Sequence, residues 1–185
     1  MQIKPYLEKD VSAVKKFTDA QIGEGYYSLD EQIQNQKKSV SKAGEITSFI
    51  LFNPLTEQIH GLRLAFPQGN WARGKGNKLR PDLWPFKLEE AAYFQSLFLS
   101  TEAQGYGWGP KLSDLSIAIF KKLGAKSIVT HCWKESPNNS SLRYLEKMGF
   151  VSVIEHPLYW IDVDYVCTRD GKPCRCTAIE MYLKL

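Results

Sequence analysis

The strongest constraint in the chain is the hexapeptide Gln104-Gly105-Tyr106-Gly107-Trp108-Gly109, which stands between two runs of different periodicity. Upstream, Ala91 to Ser100 alternates Tyr93, Gln95, Leu97 and Leu99 against Phe94, Ser96 and Phe98, as a strand in a sheet covered on both faces would. Downstream, Pro110 suits a first helical turn, Leu112, Leu115, Ile119, Phe120 and Leu123 recur at helical spacing, and Gly124 occupies a C-cap position. A strand, a glycine turn and a helix in that order bring several backbone N–H groups and the positive end of a helix dipole to one point, which is an anion site in outline. Glycine serves there because it adopts positive φ and lets the backbone approach the anion closely. A plain strand-to-helix turn would use the same residues. A Walker loop requires a GK[ST] ending, and a dinucleotide fingerprint requires GxGxxG in an early β–α–β unit; neither fits. Arg73-Gly74-Lys75-Gly76 resembles a phosphate loop but has prolines downstream and no helix behind it.

The rest of the chain divides cleanly. Gln2 to Pro5 reads as a strand, Asp10 as the N-cap of a helix carrying Val11, Val14 and Phe17, and Leu29 to Lys38 as a polar helix. Ser48 to Phe52 and Gln58 to Phe66 form an expected hairpin around Asn53-Pro54. Residues 67 to 88, broken by three prolines, predict a loop covering a site. A strand over Ser127 to Trp133 precedes a short helix with Leu142, Leu145 and Met148 inward and Gly149 at its end, and Phe150 begins another strand. Two tail strands turning near Arg169-Asp170-Gly171-Lys172 complete the reading, the last from Thr177 to Leu185. At 185 residues with 43% apolar content, one domain over 1–185 can bury its own core.

Charge and cysteine usage narrow the function classes. Arg73, Lys75, Lys78, Arg80 and Lys87 against Asp82 carry the whole +4 excess, so basicity is confined to residues 71 to 88. A local patch suits phosphate or an acidic partner, and bulk nucleic-acid binding is not expected. The charged start, with Lys4, Glu8, Lys9 and Asp10, and the shortness of the apolar run Phe49 to Phe52 argue against a secretory leader and a membrane span. Cys132, Cys167, Cys174 and Cys176 crowd into the last third, unlike a secreted disulfide framework, so reduced thiols in the cytoplasm are expected. Paired CxxC knuckles are missing, no metal is expected, and a zinc-stabilised tail is the minor alternative.

Gln104 through Gly109 resembles the [QR]xxGx[GA] turn with which the GCN5-related N-acetyltransferases hold the pyrophosphate of acetyl-CoA, and matches it at every defined position. Asn138 to Gly149-Phe150 is similar to that family's second motif, N…(S/A)…EKxGF, and the element order of the whole chain is similar too. The resemblance implies an α/β (α+β) fold with a mixed, mostly antiparallel sheet of about six or seven strands flanked by helices. Its fourth and fifth strands would splay so that pantetheine lies between them. It implies acetyl-CoA as acyl donor, a primary amine on a small molecule or peptide as acceptor, and allows a homodimer. Cofactor contacts would fall on Leu97, Phe98, Leu99, Gln104, Gly105, Tyr106, Gly107, Trp108, Gly109 and Asn138.

Direct transfer requires a neutral amine, so a base must remove its proton; Glu89, Glu90 and His131 are the candidates. A backbone N–H near Leu99 would hold the developing oxyanion. Family members place a tyrosine acid four residues before the second-motif glycine, where this chain has Leu145, and Tyr144 is expected to point elsewhere on its helix. Glu24, Tyr26 and Tyr27 are expected at the acceptor site. The alternative reading is a catalytically inactive CoA-fold binding module that uses the basic, aromatic 71–87 loop for a nucleic acid or acidic partner.

Overall fold

The computed structural model describes residues 1–76 and 78–185; Asn77, within the loop expected at 67 to 88, lies outside the described residues. The N-terminal third forms β1 (Gln2–Pro5), α1 (Val11–Ile22) and α2 (Leu29–Lys38). Asp10 does not cap α1. Its carboxylate instead accepts from the Leu7 N–H at 3.1 Å and from Lys4 Nζ at 2.9 Å, closing the short 3₁₀ turn ahead of the helix. α2 starts in a reciprocal capping box between Ser28 and Glu31 and ends on Lys37 and Lys38, opposite the sign of its dipole. Its inward face is polar: Gln32 Nε2 donates to Thr18 Oγ1 at 3.2 Å and Gln36 Nε2 to the Tyr6 carbonyl at 3.3 Å.

The hairpin of β2 (Phe49–Phe52) and β3 (Ile59–Phe66) leads through the 67–90 loop to β4 (Ala91–Leu99), α3 (Trp108–Lys122), β5 (Ser127–Trp133), α4 (Ser140–Lys147), β6 (Val151–His156) and β7 (Ala178–Lys184). Among the described residues seven strands join in the order β1-β2-β3-β4-β5-β7-β6, antiparallel throughout except for the parallel pair β4–β5. The α/β class with a mixed, mostly antiparallel sheet flanked by helices is therefore observed. Strand alternation sorts the core into two layers. Val14, Phe17 and Tyr27 meet Leu62, Leu64, Tyr93 and Val129 on one face, together with Tyr159 and Trp160 from the tail. Phe120 of α3 and Leu145 of α4 meet Ala92, Phe94 and Ile128 on the other.

The 67–90 loop lies against the sheet by its aromatics. Trp71 stacks on Tyr93 with ring centroids 4.4 Å apart and donates from Nε1 to the Ala91 carbonyl, while Trp84 Nε1 donates to Glu180 at 2.6 Å. The two expected tail strands become one. Residues 157–177 form only a bridge between Cys167 and Gly171, because Tyr159, Trp160, Tyr165, Cys167, Cys174 and Cys176 all turn inward instead of alternating as a strand requires. No helix among the described residues is long and apolar enough to cross a membrane.

Candidate active site

β4 and β5 pair only from Ala91↔Ser127 to Phe94↔Thr130. Beyond that point β4 continues beside β3 to Leu99 and β5 continues beside β7 to Trp133, so the two strands part and leave a cleft. A bulge sets the divergence: Leu64 faces Ser96 while Ala65 faces Phe94, so Gln95 is an extra residue that bends β4 where it leaves β5. Burial along β4 falls at the same place, from fully buried at 91–94 to half-buried at 95–99. The Ser100 N–H donates to the His60 carbonyl at 2.8 Å, which marks a hydrogen-bonded pair of the β3–β4 ladder. Alternation then turns the main chain of Phe98 towards β3 and those of Leu97 and Leu99 into the cleft. Of the strand residues expected to contact the cofactor, Leu97 and Leu99 present their backbone groups there and Phe98 does not. The Leu99 carbonyl already accepts from Gln104 Nε2 at 3.1 Å, which leaves its N–H available.

At the mouth of the cleft α3 begins on Gly107, in the left-handed region at φ 74°, with no side chain capping the helix. The amides of Trp108 and Gly109 belong to the first turn and have no helical partner. A Cβ at Gly105 (φ 81°) or Gly107 would touch nothing within 4 Å, so these glycines are required by backbone conformation and the space above them is open. Gly109 differs. A Cβ there would meet Leu97 Cδ2 at 3.3 Å and Tyr144 Cε2 at 3.6 Å, so this glycine lets α3 sit close on β4 and α4. Tyr106 is exposed, and Trp108 lies beneath Lys111 Nζ at 4.5 Å.

The cleft, about 470 Å³, runs from Gln104 past Leu97, Phe98 and Leu99 to a wall of Tyr26, Trp133, Trp160 and Tyr165. Among the described residues no carboxylate lines it. Glu89 and Glu90 sit in a 3₁₀ turn before β4, where the strands are still paired, roughly 20 Å of strand from the cleft. Glu90 there accepts the Lys87 N–H. Asn138 is exposed with φ 53° and does not line the cleft; Ser136 Oγ, and not Asn138, caps the following turn by accepting the Ser141 N–H at 3.0 Å. Glu24 is exposed on the α1–α2 turn away from the cleft wall, Tyr26 is part of that wall, and Tyr27 reaches the bulge through a 2.8 Å hydrogen bond with Ser96 Oγ.

His131 alone of the three candidate bases lines the cleft. Its Nε2 lies 2.9 Å from the Lys78 carbonyl and must donate, so Nδ1 accepts the Tyr93 hydroxyl at 2.8 Å in the neutral ring. Burial holds its pKa below the ordinary histidine value, with the Glu180 carboxylate 3.7 Å away pulling in the other direction. Sequence reasoning missed a second group. Arg63 of β3 is 3% exposed, lies over the Phe94 ring at 4.1 Å and, among the described residues, meets no carboxylate. It donates to Ser113 Oγ at 2.7 Å and to the Tyr144 hydroxyl at 3.4 Å, and Ser113 and Tyr144 are 2.7 Å apart. Tyr144 therefore turns towards the cleft beside Gly109, and the expectation that it points elsewhere is corrected, while Leu145 is core. The 100° offset was right; what it could not show is that α4 sets Tyr144 beside Gly109 and Ser113 of α3, while Leu145 sinks among Phe94 and Phe120.

No protein-family model matches the chain, and no curated protein matches it in sequence. Solved structures match over its full length. The ribosomal-protein-S18-alanine N-acetyltransferase of Escherichia coli superposes with TM-score 0.67 at 15% identity, covering 99% of this chain and 92% of that one. A putative acetyltransferase of Salmonella typhimurium, solved with acetyl-CoA, gives 0.66 at 17% identity over 100% and 94%. A GCN5-related N-acetyltransferase of Kribbella flavida gives 0.62 at 15% over 100% and 97%. The chain has the GCN5-related N-acetyltransferase fold. In this fold Gly109 of the first turn of α3 packs beside Leu97 and Tyr144, which line the cleft between the parted strands, and Arg63, Tyr144 and His131 stand on the walls of that cleft.

Proposed function

We propose that this chain is an N-acetyltransferase that moves the acetyl group of acetyl-CoA directly to a primary amine. The observation that carries the reading is the parting of β4 from β5 after Phe94 and Thr130, with the uncapped, glycine-turned start of α3 packed against β4 at Leu97 through Gly109. The parts suit the donor: first-turn amides for its pyrophosphate, and the unpaired β4 edge at Leu97 and Leu99 for the amides of its arm. When bound, acetyl-CoA supplies the activated thioester. The Leu99 N–H is positioned to stabilise negative charge on an oxygen at the cleft. Tyr144 is the proton donor for a departing sulfur, with the Arg63 cation behind it favouring negative charge there. His131 takes the proton of the incoming amine once Tyr93 releases Nδ1, and Glu180 stabilises the resulting imidazolium. With aromatics and no carboxylate on the wall, acceptor binding rests on apolar contact, and Glu24 plays no part in it.

The inactive binding-module reading has less support. Trp71 and Trp84 are each 8% exposed and engaged with Tyr93 and Glu180, Lys75 pairs with Glu31, and Arg80 pairs with Asp82 at 2.7 Å, so neither the rings nor these two cations are free for bases. The deciding experiment is thermal unfolding with acetyl-CoA at about a hundred times its dissociation constant, beside the Gly107→Glu variant. Wild type should gain about 2.7 kcal/mol, roughly 5 to 10 °C, and the variant little of it. Amine-dependent CoA release then tests turnover. A wild-type protein with no shift would leave the fold without this function.

A further inference from the structure

Four potential ligand atoms converge in the loop between β6 and β7: the sulfurs of Cys167, Cys174 and Cys176 and a carboxylate oxygen of Asp170, all within 4.8 Å of one another. We propose that Cys167, Asp170, Cys174 and Cys176 form a tetrahedral zinc site that holds this loop against the acceptor wall. The sulfurs of Cys167 and Cys176 are 3.9 Å apart. Four ligands around zinc at the usual zinc–thiolate length of about 2.3 Å stand about 3.8 Å from each other, so the cluster has the span of a coordination tetrahedron. A disulfide would need about 2.0 Å. Cys176 Sγ lies 3.4 Å from Asp170 Oδ2, close to the remaining edge.

The surroundings are those of a thiolate site. All three cysteines are buried, at 5%, 0% and 1% exposure, while Asp170 closes the cluster from the solvent side. The backbone N–H groups of Arg169 and Asp170 turn back on the Cys167 sulfur, Tyr165 donates to Cys174 Sγ at 3.2 Å, and Arg169 Nη1 stands 3.9 Å from Cys176 Sγ. The Trp133 indole N–H is buried without a partner of its own and lies towards Cys176, where a thiolate would supply the missing acceptor. Such donors orient and charge-balance metal-bound sulfur. The loop itself, residues 157–177, carries only one isolated bridge, and a metal would tie together a segment that has no ladder of backbone hydrogen bonds. On binding, each thiol gives its proton to solvent as the Zn–S bond forms, with no change of oxidation state. The other convergent set, His131, His156 and Glu180, has its facing atoms spent on each other, Trp84, Tyr93 and Lys78 and suggests no ion.

Cys167 and Cys176 also line the cleft beside Tyr165 and Thr168, so the ion would stiffen the wall that the acceptor meets. The test is independent of acetyl transfer. Full-length protein purified from zinc-supplemented medium should carry about one zinc per chain by mass spectrometry, and stripping it should lower Tm by roughly 10 °C or more. Cys174→Ser should lose the zinc, and Cys132→Ser, whose thiol lies outside the cluster, should keep it. Should Cys174→Ser fail to fold, cobalt(II) added to the stripped wild-type chain decides. Sulfur-to-cobalt charge-transfer bands with the intense visible absorption of a tetrahedral site, diminished in Asp170→Asn, support the proposal. Metal-free protein with freely titrating thiols, a Cys167–Cys176 disulfide, or octahedral cobalt spectra would overturn it.

Discussion

Tyr144 and Arg63 concentrate what a single residue can decide here. The guanidinium is buried without a carboxylate, an arrangement that costs several kcal/mol unless hydrogen bonds or a visiting anion compensate it. Ser113 and Tyr144 supply the hydrogen bonds, and the cleft supplies the place for the anion. Tyr144→Phe removes the proton but keeps the ring, so kcat should fall about a hundredfold with KM for acetyl-CoA little changed. Steady-state kinetics check this; an unchanged kcat would return Tyr144 to a packing role. Neither partner of Arg63 is visible from sequence, because Ser113 and Tyr144 lie 50 and 81 residues away along the chain. What can be read locally is the glycine pattern. It marks where φ must be positive but does not distinguish Gly107, which needs the dihedral, from Gly109, which needs the absence of a side chain.

At the scale of elements, strand and helix positions were legible almost throughout because each carries a single periodicity to its end. The bulge at Gln95 was not. One residue out of register leaves the alternation of β4 looking intact while changing which neighbour each residue faces. The tail failed for a related reason: its aromatics and cysteines satisfy burial without any period. The approach of α3 to β4 gives the element-scale prediction. Gly109→Val would drive its branched side chain against Leu97 and Tyr144, destabilising the protein by about 1 to 3 kcal/mol and tilting the first turn away from the cleft. The acetyl-CoA-induced Tm shift should then vanish although no charge was introduced. If it persists, the close approach of helix to strand is not what aims the amides.

Across the whole molecule, one buried carboxylate joins three strands to the 67–90 loop. Glu180 of β7 has no exposed surface and faces His131 of β5, His156 of β6, and the indole of Trp84 and N–H of Arg80 from the loop, with Tyr159 nearby. Burial by itself would raise the pKa of its carboxyl, but the neighbouring His131 ring and the hydrogen bonds from His156 and Trp84 outweigh burial and hold it below the ordinary value of 4.5. His131 is held below 6.5 by burial against the pull of Glu180. Both groups bind protons less readily folded than unfolded, so the unfolded chain takes up each proton first as pH falls. The stability they contribute is complete above about pH 6.5. It declines below that until folded His131 protonates, and declines again from about pH 4.5 until folded Glu180 does. Melting curves between pH 7.5 and 4 should therefore fall in two stages, each worth about 1.4 kcal/mol per unit separating folded from unfolded pKa. Glu180→Gln should begin about 3 to 5 kcal/mol less stable and show a smaller lower stage, with Glu31 and the exposed Asp82, Glu102 and Asp170 supplying the remainder. A wild-type Tm that stays level through the upper window would mean that His131 titrates alike in both states. The tie between loop and sheet would then rest on the stack of Trp71 on Tyr93 and on the indole hydrogen bonds to Ala91 and Glu180, with no contribution from the ionisation of His131.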